Sequence, residues 1–177
     1  MKRVLILGGY GNFGSHIARS LASEPGIRLL IAGRSHDRAV AFADALDGPN
    51  RPEAHQIDIA SGLDRLLHDA APDMVIHTVG PFQGQSYAVA EACIRSGCHY
   101  VDLADGRSFV AGIEALDASA RAADVLAISG ASSVPCLTAA IIVISIDVEI
   151  PIQSCMFSAI LETGEPVSHR FASHLCL

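Results

Sequence analysis

Short runs of hydrophobic residues recur along the chain, each followed by a longer stretch in which apolar positions repeat at helical spacing. Residues 3–7 (RVLIL), 28–32 (RLLIA), 54–58 (AHQID), 73–78 (DMVIHT), 99–103 (HYVDL) and 125–129 (VLAIS) predict strands. Several of these runs are apolar almost throughout, as strands covered on both faces must be. Helices are expected over 12–23, 36–46, 85–96 (closed by Gly97) and 107–123, with a short one opened by Ser61 as its N-cap. Strands alternating with helices imply right-handed βαβ units, and six such strands predict an α/β, doubly wound parallel sheet.

The rhythm stops near the end. The apolar run 137–146 (LTAAIIVISI) is too short to span a bilayer and reads as a buried helix or strand. From Asp147 onward a single strand, over 155–161, is predicted. The expected organisation is therefore a domain over 1–146 and a tail over 147–177, read as a remnant of a second, α+β domain.

Composition narrows the class. The chain has 177 residues, 50% of them hydrophobic and 18% charged, enough apolar material for a sizeable core. The formal charge is −7 with no basic stripe, which argues against nucleic acid or an anionic membrane surface as a partner. Cys93, Cys98, Cys136, Cys155 and Cys176 are scattered, with no zinc-like spacing, so no metal is expected. Reduced thiols and a start that runs straight into a strand, with no signal-peptide pattern, point to the cytoplasm.

The candidate chemistry begins at Gly9-Tyr10-Gly11-Asn12-Phe13-Gly14, a G-x-G-x-x-G between a predicted strand and a predicted helix. In this dinucleotide-binding fingerprint of the Rossmann fold, Gly9 permits a tight turn and Gly11 lets backbone approach a pyrophosphate. Gly14 lets the helix pack closely on the sheet. The helix N-terminus supplies free N–H groups to the phosphates. The end of the second strand distinguishes the nucleotide. NAD sites carry an acid there for the ribose 2′-hydroxyl, whereas this chain has Gly33, Arg34 and Ser35. An arginine and a hydroxyl suit a 2′-phosphate, so NADP is expected over NAD. Asp58, at the end of the third strand, either touches the adenine edge or caps the next turn.

Further along, "VIHTVGPFQGQSYAVAEACIRSGCHYVDLADGRSF" and "AISGASSVPCLTAA" resemble the saccharopine dehydrogenase-like oxidoreductases. The resemblance rests on Gly80-Pro81-Phe82, Gly84, Ala92-Cys93, Gly97, Tyr100-Val101-Asp102, and Gly130 with Ser133-Val134-Pro135. It covers roughly residues 2–142 and implies an NADP-binding Rossmann domain, with Thr78, Val79, Gly80 and Pro81 near the ribose and nicotinamide. It implies a small-molecule substrate, a C–N or C=C bond as the site of hydride transfer, and a homodimer whose contacts come largely from a substrate domain. Nearly all of that domain is missing from the chain. Where the family has a Gly-Glu pair, this chain reads Ala104-Asp105-Gly106.

Catalytic candidates are few. Asp102 and Asp105, beyond the fifth strand, could orient an amine or act as a base, or could cap the helix near Arg107. His77 and His99 read either as core or strand histidines or as acid–base groups. Ser132 and Ser133 either fix a turn or face the cofactor cleft. A Tyr-x-x-x-Lys pair is impossible, since Lys2 is the only lysine, and no GxSxG or HExxH occurs. Three readings stay open: an NADP-dependent oxidoreductase domain, a non-catalytic NADP-binding or redox-sensing module resembling NmrA-like proteins, and a truncated, inactive oxidoreductase.

Overall fold

The structure, a computed structural model, describes residues 1–132. The expectations placed on Ser133, the 137–146 run, the 155–161 strand, the 147–177 tail, Cys136, Cys155 and Cys176 lie outside the described residues.

Six strands form one sheet: β1 (Lys2–Leu7), β2 (Ile27–Gly33), β3 (Glu53–Gln56), β4 (Met74–His77), β5 (His99–Asp102) and β6 (Ala127–Ile128). Their order is β3-β2-β1-β4-β5-β6 and every pairing is parallel. That is the doubly wound Rossmann order, in which the winding reverses between β1 and β4. The helices are α1 (Asn12–Ala22), α2 (His36–Asp44), α3 (Leu63–Ala70), α4 (Ala88–Arg95), α5 (Arg107–Gly112) and α6 (Asp117–Ala122), with a 3₁₀ turn over Ile113–Leu116.

Strand alternation splits the core into two layers. Val4, Ile6, Leu29, Ile31 and Ile76 face Ala18 and Ala22 of α1 and Ala39 and Ala43 of α2. Leu5, Leu7, Leu30, Val75 and Tyr100 face Leu63 and Leu67 of α3 and Val89 and Cys93 of α4. Leu5 is in register with both Leu30 and Val75, so the central strands present matched apolar rows on each face. Complete burial of such a side chain contributes about 1.5–3 kcal/mol, which makes this pattern the main determinant of register.

The amino edge of the sheet is held by ion pairs. Arg3 donates to both carboxylate oxygens of Glu53 at 3.0 Å and to the Ala70 carbonyl at 2.9 Å. The Asp73 carboxylate accepts from the Arg3 N–H and from Lys2 Nζ. The single lysine is thus committed at the edge opposite the glycine loop.

Five predicted elements are corrected. Ser61 does not cap α3. Gly62 occupies that position at φ +86°, while the Ser61 N–H closes a turn onto the Asp58 carbonyl. Helix α4 begins at Ala88 rather than Gln85, because the chain makes a separate turn first: Gly84 is at φ +81° and the Gln85 N–H donates to the Phe82 carbonyl. The single helix expected over 107–123 is three pieces. The Tyr87 hydroxyl donates to the Phe109 carbonyl at 2.7 Å, and at Gly112 a side chain would run into the Tyr87 ring. The strands at 54–58 and 125–129 are also shorter than expected, ending at Gln56 and spanning only Ala127–Ile128.

Candidate functional site

The reversal of winding puts the loops after β1 and β4 side by side at the carboxyl edge, which is where open α/β sheets take their ligands in a crevice. The two loops are Gly8–Gly11 after β1 and Thr78–Phe82 after β4.

The glycine loop is built by close approach. Gly8, rather than Gly9, takes the left-handed conformation (φ +79°), and a side chain on it would meet Thr78 Oγ1 at 2.8 Å. The Gly11 N–H donates back to the Gly8 carbonyl at 2.8 Å. Gly14 is buried, and a Cβ there would collide with that same carbonyl, so the third glycine of the motif sets the contact between α1 and the loop. Helix α1 has no side-chain cap and no acid in its first turn. Its first N–H groups and positive dipole end therefore face the loop free to receive an anion. Gly11, Asn12 and Phe13 are exposed around this mouth, Phe13 at 65%.

The β4 loop is fastened to the glycine loop. Thr78 Oγ1 donates to the Leu7 carbonyl at 2.8 Å and approaches the Gly8 carbonyl at 3.3 Å. The Gln85 amide holds the carbonyls of Val79 and Pro81 at 2.9 and 2.6 Å. Gly80 and Pro81, joined by a cis peptide bond, stay exposed at this edge. Gln85 was not singled out in the sequence, because a glutamine ahead of a helix carries no motif.

At the end of β2 the Tyr10 ring closes the position where an acid would stand. A Cβ on Gly33 would lie 2.5–2.6 Å from the Tyr10 ring and hydroxyl. The Tyr10 hydroxyl accepts from the Ser35 N–H at 2.8 Å, and the Arg38 guanidinium lies over the ring, 4.7 Å from its centroid. Arg34 is exposed beside them, and Ser35 caps α2 by accepting from the Arg38 N–H at 3.4 Å. The Arg38 guanidinium, the Ser35 hydroxyl at the N-cap of α2 and the exposed Arg34 therefore all belong to the short segment that ends β2 and opens α2, with Asp37 the acid in that first turn. Arg38 escaped the sequence reading because its proximity depends on the turn of α2. Asp58 is exposed nearby, its carboxylate accepting from the Ala60 N–H within its own turn.

The catalytic candidates divide. Asp102 is fully buried, and its carboxylate accepts from the Tyr100 hydroxyl, the Ala104 and Gly130 N–H groups and the Ser129 hydroxyl, all at 2.9–3.0 Å. Every donor belongs to β5 or to the segments after β5 and β6, so the side chain ties these together, and it does not cap α5. Burial and the neighbouring Asp102 keep the Tyr100 phenol raised, a neutral donor at ordinary pH. Asp105 is exposed and accepts from Gln83 Nε2 at 3.0 Å. His99 Nδ1 accepts from the Leu126 N–H at 3.1 Å, binding β5 to the chain entering β6. Ser132 ends a turn in which its N–H donates to the Gly130 carbonyl.

His77 is 1% exposed, edge-on to Phe82 at 5.1 Å and near Tyr100 at 6.3 Å. Burial lowers its pKa, and Gln85 and the Asp102 charge pull upward without overcoming it. The imidazole is therefore held neutral. In the unfolded chain it binds a proton near pH 6.5, so stability falls as pH drops from about 6.5 toward the lower folded value. His77→Phe, tested by thermal melts across pH 7 to 5, should flatten that part of the stability profile.

The family model of the saccharopine dehydrogenase NADP binding domain matches residues 4–128. The chain belongs to this family. It is 30% identical over 138 residues to a trans-acting enoyl reductase of Mycobacterium leprae, covering 75% of this chain and 33% of the relative. It is 27% identical over 125 residues to a probable mitochondrial saccharopine dehydrogenase-like oxidoreductase of Arabidopsis thaliana, covering 63% and 27%. The chain thus spans a third or less of these relatives.

Apo saccharopine dehydrogenase (L-Glu forming) of Saccharomyces cerevisiae shares the fold, with a TM-score of 0.66 at 23% identity over 83% of this chain and 31% of that one. A Sphingobium yanoikuyae short-chain dehydrogenase solved with NADPH has a TM-score of 0.51 at 20% identity, covering 73% and 70%. As a saccharopine dehydrogenase NADP-binding domain, the chain takes NADP(H), and the glycine cradle and the cationic end of β2 both fit that cofactor. Among the described residues no cluster of His, Cys, Asp or Glu could hold a metal, and no helix is long and apolar enough to cross a membrane.

Proposed function

We propose that this domain is the cofactor-binding unit of a cytoplasmic, homodimeric oxidoreductase that moves hydride between NADP(H) and a C–N or C=C bond of a small molecule. The observation that supports the reading is the pair of loops at the carboxyl edge. The glycine loop and uncapped α1, with Arg34, Ser35 and Arg38 at the end of β2, are read as the phosphate side, and the fastened Val79-Gly80-Pro81 loop, joined to the glycine loop through Thr78, as the nicotinamide side.

In this reading the N–H groups at the start of α1 hold the pyrophosphate and the arginines hold the 2′-phosphate. Thr78 and Gln85 fix the loop against which the nicotinamide end lies. NADPH supplies the hydride when bound. Asp105 is the exposed carboxylate beside this loop and the candidate for orienting an amine or exchanging a proton. Asp102 and His77 hold the floor in place from beneath. The name of the M. leprae relative favours an enoyl acceptor as the first substrate to try.

The test is steady-state NADPH oxidation with imine and enoyl acceptors, using cofactor deuterated at the transferable position. Deuterium in the product is the expected result. Tight NADPH binding without turnover of any acceptor would instead favour the binding or redox-sensing module.

A further inference from the structure

Helix α4 ends in a double hydrogen bond that folds the chain back on itself. The Cys98 N–H donates to the Cys93 carbonyl at 3.0 Å and the Gly97 N–H to the Ile94 carbonyl at 3.1 Å, with Gly97 at φ +69°. In this helix ending the side chains of the two outer residues meet, ordinarily as an apolar contact. Here both are cysteines. Cys98 Sγ lies 3.6 Å from the Cys93 carbonyl oxygen and donates to it, which keeps the two side chains on the same side of the turn. One backbone bond joining the residues directly keeps their Cα atoms near the roughly 5.5–6 Å most common for disulfides.

We propose that Cys93 and Cys98 are a dithiol pair that closes to a reversible disulfide in the native fold when a low-molecular-weight disulfide acts as oxidant. The pair sits at the start of β5, on the sheet edge opposite the glycine loop, and the cofactor reading above does not use it. Both residues are buried, at 0% and 1% exposure, but Cys98 also lines an open groove of about 520 Å³ with Leu67, His68 and Arg95. That groove is the route for a small oxidant.

The two thiols differ in the way such a reaction requires. The nearby Cys98 thiol and burial push the Cys93 thiol up, whereas the influence of Cys93 lowers Cys98. Cys98, the one of the two that lines the groove, is the attacking thiolate. It bonds to one sulfur of the oxidant RSSR and displaces RS⁻, which takes up a proton. Cys93 then loses its proton and attacks Cys98 Sγ, expelling the second RS⁻. Two protein thiols give up two electrons and two protons, and one small disulfide becomes two small thiols.

The experiment treats the full native chain with oxidised glutathione, blocks remaining thiols with N-ethylmaleimide and digests with trypsin without reduction. Cleavage after Arg95 separates the cysteines, so the expected product is peptide 66–95 joined to peptide 96–107, released by dithiothreitol. Cys93→Ala should instead leave one glutathione on Cys98. The proposal is overturned if both peptides are recovered alkylated at an oxidant concentration that oxidises the guanidine-unfolded chain. Linkage of either peptide to Cys136, Cys155 or Cys176 in its place, or a Cys93→Ala chain free of adduct, overturns it equally.

Discussion

Asp102→Ala is expected to lower the unfolding free energy by about 3–5 kcal/mol, read as a shift of the urea midpoint at unchanged slope. The magnitude follows from what the carboxylate leaves behind. The Tyr100 and Ser129 hydroxyls and the Ala104 and Gly130 N–H groups all donate to it, and the side chain has no exposure to water. An alanine orphans all four donors at once and opens a void beside Tyr100. Each lost bond costs about 1–3 kcal/mol, reduced where water enters the void. For a domain whose whole stability is of order 5–15 kcal/mol, the variant is marginal.

Asp102→Asn separates this role from a catalytic one. The amide keeps an acceptor for the N–H groups, and the Tyr100 hydroxyl can turn to accept, so the loss should be about 1–2 kcal/mol with NADPH affinity unchanged. If Asp102 were the base, the asparagine variant would fold and bind as before yet lose turnover.

That carboxylate also marks the limit of what the sequence could tell. The predicted strands and the glycine motif suffice for the sheet and its winding, because strand burial and the Gly14 contact are dictated locally. "HYVD" reads equally well as a strand ending in a catalytic acid. Its buried character depends on Ser129 and Gly130, brought to it by β6 pairing alongside β5. Likewise the helix expected over 107–123 is broken by a hydroxyl from Tyr87, a long-range contact that no periodicity contains. Gly33 was read for the acid it lacks. The structure adds why an acid could not simply be restored there: the Tyr10 ring already occupies the space.

Replacing Arg34 and Arg38 together by alanine should weaken NADPH binding by about 2–4 kcal/mol, roughly 30- to 1,000-fold, and leave NADH within about threefold. A 2′-phosphate carries the charge that NADH lacks, and charge-assisted bonds to it contribute about 1.5–3 kcal/mol each, less where solvent screens them. Both arginines are exposed, so the lower part of the range applies at physiological salt and the upper part at low salt. The two should not contribute alike. Arg38 is pre-oriented over the Tyr10 ring, whereas for Arg34 only the main chain is fixed, by the Gln56 amide on its carbonyl. Arg38→Ala should therefore cost at least as much as Arg34→Ala. Tyr10→Ala should reproduce part of the Arg38 loss by removing the surface that aims the guanidinium. Fluorescence titration of both nucleotides at two salt concentrations decides the matter. Equal weakening of NADH and NADPH in the double variant would mean that these arginines support the loop and do not read the phosphate.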